Sequence, residues 1–162
     1  MTTPEARLAE LGHTLPAPAR MPPGVHLPFS LINIRGARAF FSGHPRQDAS
    51  GAIDGPYGLV GADLATAEAA RAAEGIALSV LANLRAEIGS LDRIAGWGRV
   101  FGMVASAPGY TEQHLVLNGF SDLIIAVFGA ETGRHARSAV GVAGLPMNFA
   151  IEIEGEVLLR PG

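Results

Sequence analysis

A chain of 162 residues and 16.8 kDa fits one domain, and its 48% apolar content and mean hydropathy of +0.27 exceed what a monomer of this size needs, so some apolar surface is expected to meet other subunits. It has no cysteine, and all 12 basic residues are arginine, which excludes disulfides, thiol nucleophiles, cysteine metal ligands, a lysine Schiff base and a P-loop lysine. The net charge is −3 and no stretch concentrates arginine, so neither nucleic acid nor an anionic membrane is an expected partner.

The N-terminal segment carries Glu5, Arg7 and Glu10 and lacks an apolar signal core, and no uninterrupted apolar run approaches ~18 residues; a cytoplasmic protein without a transmembrane helix is expected. Residues 3–11 read as a short helix, with Thr2 or Thr3 as cap, Pro4 in the first turn, Gly12 as the stop, and Leu8 and Leu11 as its apolar contacts. Five prolines between Pro16 and Pro28 predict an extended linker. Residues 1–23 therefore read as an extension and residues 24–162 as a single domain.

A hairpin follows, with strands Phe29–Ile34 and Ala39–Ser42 joined around Arg35-Gly36. Residues 43–63, rich in Gly, Asp and Pro, read as a long loop of the kind that is functional or mobile. A helix over 66–88 places Ile76, Val80, Leu84 and Ile88 at i, i+4 spacing before Gly89. The segment Ile94–Val104 is strand-like, with Gly96, Gly98 and Gly102 as close-packing or bulge positions rather than a dinucleotide loop. A second helix over 112–128, capped by Thr111, puts Val116, Phe120, Leu123, Ile124 and Val127 on one face and ends before Gly129. Two strands close the chain, Arg137–Val142 and Ala150–Leu159. In the second, Ile151, Ile153, Val157 and Leu159 alternate with Glu152, Glu154 and Glu156. The order β-β-α-β-α-β-β, after the short N-terminal helix, predicts an α+β fold: a mixed sheet with two helices on one face and the other face left for water or another subunit.

Few common catalytic signatures are present. No G-x-S-x-G occurs, and the five histidines lack ligand spacing, so no metal site is expected. The run Gly133-Arg134-His135-Ala136-Arg137 puts an arginine at the start of a strand after a helix and a glycine turn. A guanidinium there can grip a carboxylate through two parallel hydrogen bonds, or it can form an ordinary surface or intersubunit ion pair; Arg134 reads as a solvated turn residue or a second anion contact.

His135-Ala136-Arg137-Ser138-Ala139-Val140, then Leu145-Pro146, then Ile151-Glu152-Ile153-Glu154, together with Phe41-Ser42-Gly43 and Asn118 inside the second helix, resemble the ordered motifs of the YjgF/Rid (reactive intermediate deaminase) family over roughly residues 24–159. The N-terminal extension and Ser106-Ala107-Pro108-Gly109 resemble its longer, YjgF/chorismate-mutase-like branch. The resemblance implies a chorismate-mutase-like fold, a homotrimer with clefts between subunits, and no cofactor. It implies that Arg137 binds the carboxylate of a short enamine or imine acid such as 2-aminoacrylate, and that Glu152 places the hydrolytic water. Backbone near Gly43 and Ala139 would line the reacting carbons, with Ser42 and Asn118 shaping the pocket. Phe29 stands where the family has a cleft tyrosine, Ala139 where it has a cysteine, and His44 where it has a glutamine; His44 is then either a new proton donor or a loop residue.

The expected function is cofactor-free hydrolysis of enamine and imine acids to 2-keto acids and ammonia. The alternatives are a non-catalytic trimer binding small carboxylates, favoured by the loss of the tyrosine, and an endoribonuclease, disfavoured by the acidic balance and the absence of lysine.

Overall fold

The computed structural model describes residues 2–161. Its elements are α1 (Pro4–Glu10), β1 (Ile32–Arg35), β2 (Arg38–His44), α2 (Thr66–Ile88), β3 (Ile94–Ala105), α3 (Gln113–Gly133), β4 (Ala136–Val142) and β5 (Ile151–Leu159). Five strands form one sheet in the order β1-β2-β5-β3-β4. β3 and β4 are parallel, and the other neighbouring pairs are antiparallel.

Because β5 runs against both β2 and β3, β2 and β3 are themselves parallel. Each long helix is thus a crossover between parallel strands, β2-α2-β3 and β3-α3-β4, and both crossovers advance in the same direction across the sheet. Crossovers of one hand that step the same way place their helices on the same face. The alternation predicted for β5 follows: Ile151, Ile153, Val157 and Leu159 are buried beneath the helices, and the glutamates point away. Ile76, Val80, Leu84 and Ile88 of α2 and Val116, Phe120, Leu123, Ile124 and Val127 of α3 complete this core. The two helices approach closely at Gly119, where a Cβ would lie 1.9 Å from the Ala70 carbonyl oxygen.

Several expectations shift. β1 begins at Ile32 rather than Phe29, although Ser42 N–H still donates to the Leu31 carbonyl (2.9 Å). In α1, Thr3 caps the Ala6 N–H and Leu8 is buried, but Leu11 is exposed because it is the C-cap and turns outward. α3 starts after Glu112 rather than Thr111; Gly129 (φ 77°) breaks it, and a further turn carries on to Gly133. By length and composition α3 is apolar enough to cross a membrane, although His114, Asn118, Ser121 and Asp122 interrupt its apolar run. Its apolar side chains pack on the sheet and α2.

The proline-rich segment is extended and docked. Ala19 N–H donates to Asn83 Oδ1 (2.8 Å), Arg20 N–H to the Gly51 carbonyl (2.8 Å), and Gln47 Nε2 to the Ala17 carbonyl (3.0 Å). The 43–63 segment is held by isolated bridges, Gln47 to Ile53, Tyr57 to Phe149 and Val60 to Ser106. On the face away from the helices lie Phe40, Phe101, Arg99, Arg38 and Glu156, with Phe29 more than half exposed at 54%. This face carries a broad hollow of about 680 Å³.

Candidate functional site

β4 is an edge strand, and Arg137 is its second residue. Arg137 lies opposite Val100, which is fully buried under the helices, so the arginine side chain heads toward the helix side at the rim of the sheet. There Nη1 donates to Asn118 Oδ1 (3.1 Å) and Ser121 Oγ (3.0 Å), and Nη2 donates to the His114 carbonyl (3.2 Å). Three of the five guanidinium N–H groups are therefore used. The two left over, on Nε and Nη2, have no partner among the described residues and are donors that a carboxylate could take. Burial pulls the Arg137 pKa below its usual value while Asp122 opposes that, and the group stays charged.

Ser121 is itself held. His135 Nδ1 donates to the Gly133 carbonyl (2.8 Å), which leaves Nε2 as the acceptor for the Ser121 hydroxyl (3.0 Å). Burial lowers the His135 pKa, and the Arg137 charge adds to that, so the imidazole remains neutral and this tautomer is fixed. Ala139 follows on the same face of β4, packed against the core.

The second cluster lies where β2 ends beside β5. Glu152 pairs with Met103 in register, three positions beyond Val100, and so projects from the opposite face. Gly43 faces it: a Cβ there would come 2.8 Å from Glu152 Oε2. The glycine of the Ser42-Gly43 pair thus makes room for the carboxylate, which is a close-approach reason for glycine. Among the described residues, no side chain or backbone group hydrogen-bonds or ion-pairs with the Glu152 carboxylate. Burial pushes its pKa above the usual carboxylate value, and neighbouring Glu154 adds to the rise.

Phe29, Gly43, His44 and Glu152 line one hollow of about 320 Å³. Ser42 turns elsewhere: its hydroxyl donates to the Ser30 carbonyl (2.8 Å) and it lines the broad hollow of the open sheet face. His44 is not a loop residue. It is the last residue of β2, only 1% exposed, with Nδ1 donating to the Ser42 carbonyl. Burial depresses its pKa, while the Ser42 carbonyl opposes that, and Nε2 has no hydrogen-bond partner among the described residues. Arg134 is exposed, with no hydrogen bond or ion pair among the described residues, as a turn residue would be.

Arg137 and Glu152 are thus brought to the same sheet but not to each other. They stand on opposite faces, two strands and three register positions apart, roughly 14 Å between Cα atoms by standard strand spacings. Asn118 and Ala139 belong with Arg137; Phe29, Gly43 and His44 belong with Glu152. Among the described residues, no group of three or more His, Asp or Glu side chains could hold a metal.

No family model matches the sequence. Protein TCP17 of Trypanosoma cruzi is 41% identical over 156 residues, 96% of this chain and 93% of its own. The crystal structure of Atu1372 from Agrobacterium tumefaciens, of unknown function, is 42% identical with a TM-score of 0.83, over 97% of this chain and 92% of its own. A candidate endoribonuclease from Shewanella oneidensis is 28% identical with a TM-score of 0.86, over 97% and 99%. Escherichia coli TdcF, solved with bound serine, shares the fold at a TM-score of 0.57 and 17% identity, over 91% and 97%. RidA from a Psychrobacter species does so at 0.53 and 19%, over 88% and 94%. The chain belongs to the YjgF/Rid family. Its Arg137-Ser138, Ser42-Gly43 and Glu152 motifs therefore sit on the fold that the sequence resemblance implied.

The YjgF/Rid motifs alone did not point to Ser121, His114 or His135 as supports of Arg137. Asn118 and Ser121, spaced i, i+3 on a largely apolar helix, were the available signal, since that spacing puts two polar groups on one stripe.

Proposed function

We propose that this protein is a cofactor-free deaminase of enamine and imine acids, working in clefts that each combine Arg137 of one copy with Glu152 of another in a homotrimer. The observation that carries the reading is the pair of incomplete half-sites. One is a guanidinium held by three hydrogen bonds with two donors left over; the other is a half-buried carboxylate without a partner among the described residues. Neither is useful alone, and one copy keeps them on opposite faces of its sheet. The apolar and charged open face supports burial against further copies.

The chemistry then follows from the two groups. Arg137 clamps the substrate carboxylate and fixes the C2 imine carbon in space. Glu152, whose raised pKa makes it a better proton acceptor than an exposed carboxylate, takes a proton from water as the oxygen bonds to C2. The resulting carbinolamine receives that proton on nitrogen. As the C–N bond breaks, the hydroxyl proton passes through Glu152 to the departing nitrogen and the C2–O bond becomes the carbonyl, so imine and water give 2-keto acid and ammonia. An enamine substrate enters after tautomerising to the imine. Gly43, His44 and Ala139 contribute walls rather than proton transfer.

Phe29 favours a second reading, a trimer that binds small carboxylates without turning them over, because no hydroxyl is offered at that position. One assay separates the two. 2-Aminoacrylate is generated in situ with a serine dehydratase, and keto-acid formation is followed with and without this protein. Acceleration that is lost in Arg137→Ala supports the deaminase; no acceleration at any protein concentration rejects it.

A further inference from the structure

The hollow beside Glu152 is larger and more apolar than a three-carbon acid requires. At about 320 Å³ it has room for roughly ten water molecules at liquid density. Its walls are Met21, Leu27, Leu31, Ile53, Met147 and Phe149. The polar groups on it are few. Gln47 is already committed, donating to the Ala17 carbonyl and accepting from Asn83 (2.7 Å), which leaves Glu152 and the unpartnered Nε2 of buried His44. An apolar chamber with a few polar groups at one place is the usual form of a small-molecule site.

Hydrogen bonds anchor the segments that form the chamber's walls. One wall is the N-terminal extension, pinned through Ala19 and Arg20. Gly51 (φ 86°) admits that wall, since a Cβ there would lie 2.2 Å from the Pro18 carbonyl oxygen. Another wall comes from the turn Pro146–Asn148, in which Met147 (φ 55°) occupies the left-handed region that most non-glycine residues avoid, followed by Asn148 (φ 62°), a residue type that tolerates it. That turn is tied down by Gly58 N–H donating to the Asn148 carbonyl (3.0 Å). Backbone held in a costly conformation beside a candidate site is a pointer to function.

We infer that this hollow receives the side chain of the ligand, and that the protein selects 2-imino and 2-oxo acids carrying an apolar side chain from about leucine to phenylalanine size over the three-carbon member of the series. The inference rests on the proposed site, because Glu152, the group that would serve the reacting carbon there, itself lines this hollow. Two methionines among the walls give the chamber soft, adaptable sides, which suits a class of side chains rather than one shape.

The test is calorimetric binding of stable 2-oxo acids to the full-length protein: pyruvate, 4-methyl-2-oxopentanoate and phenylpyruvate. The larger acids should bind about 10- to 100-fold more tightly than pyruvate, the range expected for burying a few additional carbons. Met21→Trp and, separately, Leu27→Trp, each filling the chamber from the extension side, should bring that ratio toward one. Equal affinities, a preference for pyruvate, no binding of any of the three, or a preference that survives both substitutions would each overturn the inference. The turnover assay is read independently. A side-chain preference without turnover leaves the chamber standing and removes the deaminase, whereas turnover of 2-aminoacrylate without any preference removes the chamber alone.

Discussion

Arg137 is the residue on which the site turns, and its environment sets what each substitution should do. Its Nη1 is fully used by Asn118 and Ser121, so the guanidinium is oriented before any ligand arrives. Arg137→Ala deletes a charge-assisted, two-point contact and should cost about 2–5 kcal/mol, or roughly 30- to several-thousand-fold in keto-acid formation. Arg137→Lys should fail nearly as badly, because an ammonium cannot satisfy Asn118, Ser121 and a carboxylate in one plane. Arg134→Ala, at an exposed turn, should be mild. Full activity in Arg137→Ala would remove the arginine from the mechanism.

Glu152 gives a prediction of opposite sign for stability and activity. Its pKa is raised on folding, so the fold favours the neutral carboxyl. Stability from that preference is complete below the unfolded pKa of about 4.3 and is lost as pH rises through the higher folded value. Glu152→Gln should therefore melt higher than wild type at pH 8, with the gain shrinking toward zero near pH 4. Its turnover should fall more than its ligand affinity, and the acid limb of the wild-type pH–rate profile should disappear. Thermal melts at the two pH values and a rate profile check both halves; equal melting at pH 8 would mean that the ionised carboxylate costs the fold nothing. Gly43→Ala probes the same carboxylate from the other side. The added methyl would meet Oε2 at 2.8 Å and must push it away, so turnover should drop while the trimer persists.

The secondary elements divide by how local their causes are. α2, α3 and β5 are legible in the sequence because their apolar periods are long and regular, and the short α1 because Thr3 and Pro4 mark its start; each has one buried stripe to satisfy. The onset of β1 is not legible, since Phe29-Ser30-Leu31 has strand-like composition and only the pairing with β2 decides where the ladder stops. The parallel pairing of β3 with β4 is likewise a consequence of the crossover through α3 rather than of either strand's residues. The motif residues of the site could be read from their order, yet the supports of Arg137 and the chamber beside Glu152 could not. Both are assembled from segments far apart in the chain, including a proline-rich stretch that reads as a linker. Gly119 tests the packing of the two helices. Alanine there gains up to about 1 kcal/mol in helix propensity, but its Cβ would be 1.9 Å from the Ala70 carbonyl oxygen, and that atom is backbone. The clash should dominate. Net destabilisation of about 1–3 kcal/mol corresponds to roughly 2–12 °C in Tm for a chain of this size. A melting temperature equal to or above wild type would show that the helices can separate without cost.

At the scale of the whole molecule, the placement of Arg137 and Glu152 on opposite faces makes assembly a requirement of the proposed deaminase. Light scattering should give about three times 16.8 kDa, and a stable monomer at micromolar concentration would leave the two half-sites unjoined. Subunit mixing is the sharper measurement. Arg137→Ala copies keep Glu152, and Glu152→Gln copies keep Arg137, so each homotrimer has no intact cleft. If a cleft takes its arginine from one copy and its glutamate from the next, a cleft is intact whenever the first donor is a Glu152→Gln copy and the second an Arg137→Ala copy. Random assembly of equal amounts after unfolding and refolding together then restores about one cleft in four, the product of two even chances around a closed ring. Activity should recover to about a quarter of refolded wild type, while the two variants refolded separately and then combined stay inactive. Were both residues to act from the same copy, every copy in the mixture would lack one of them, and no proportion of the two variants could restore turnover.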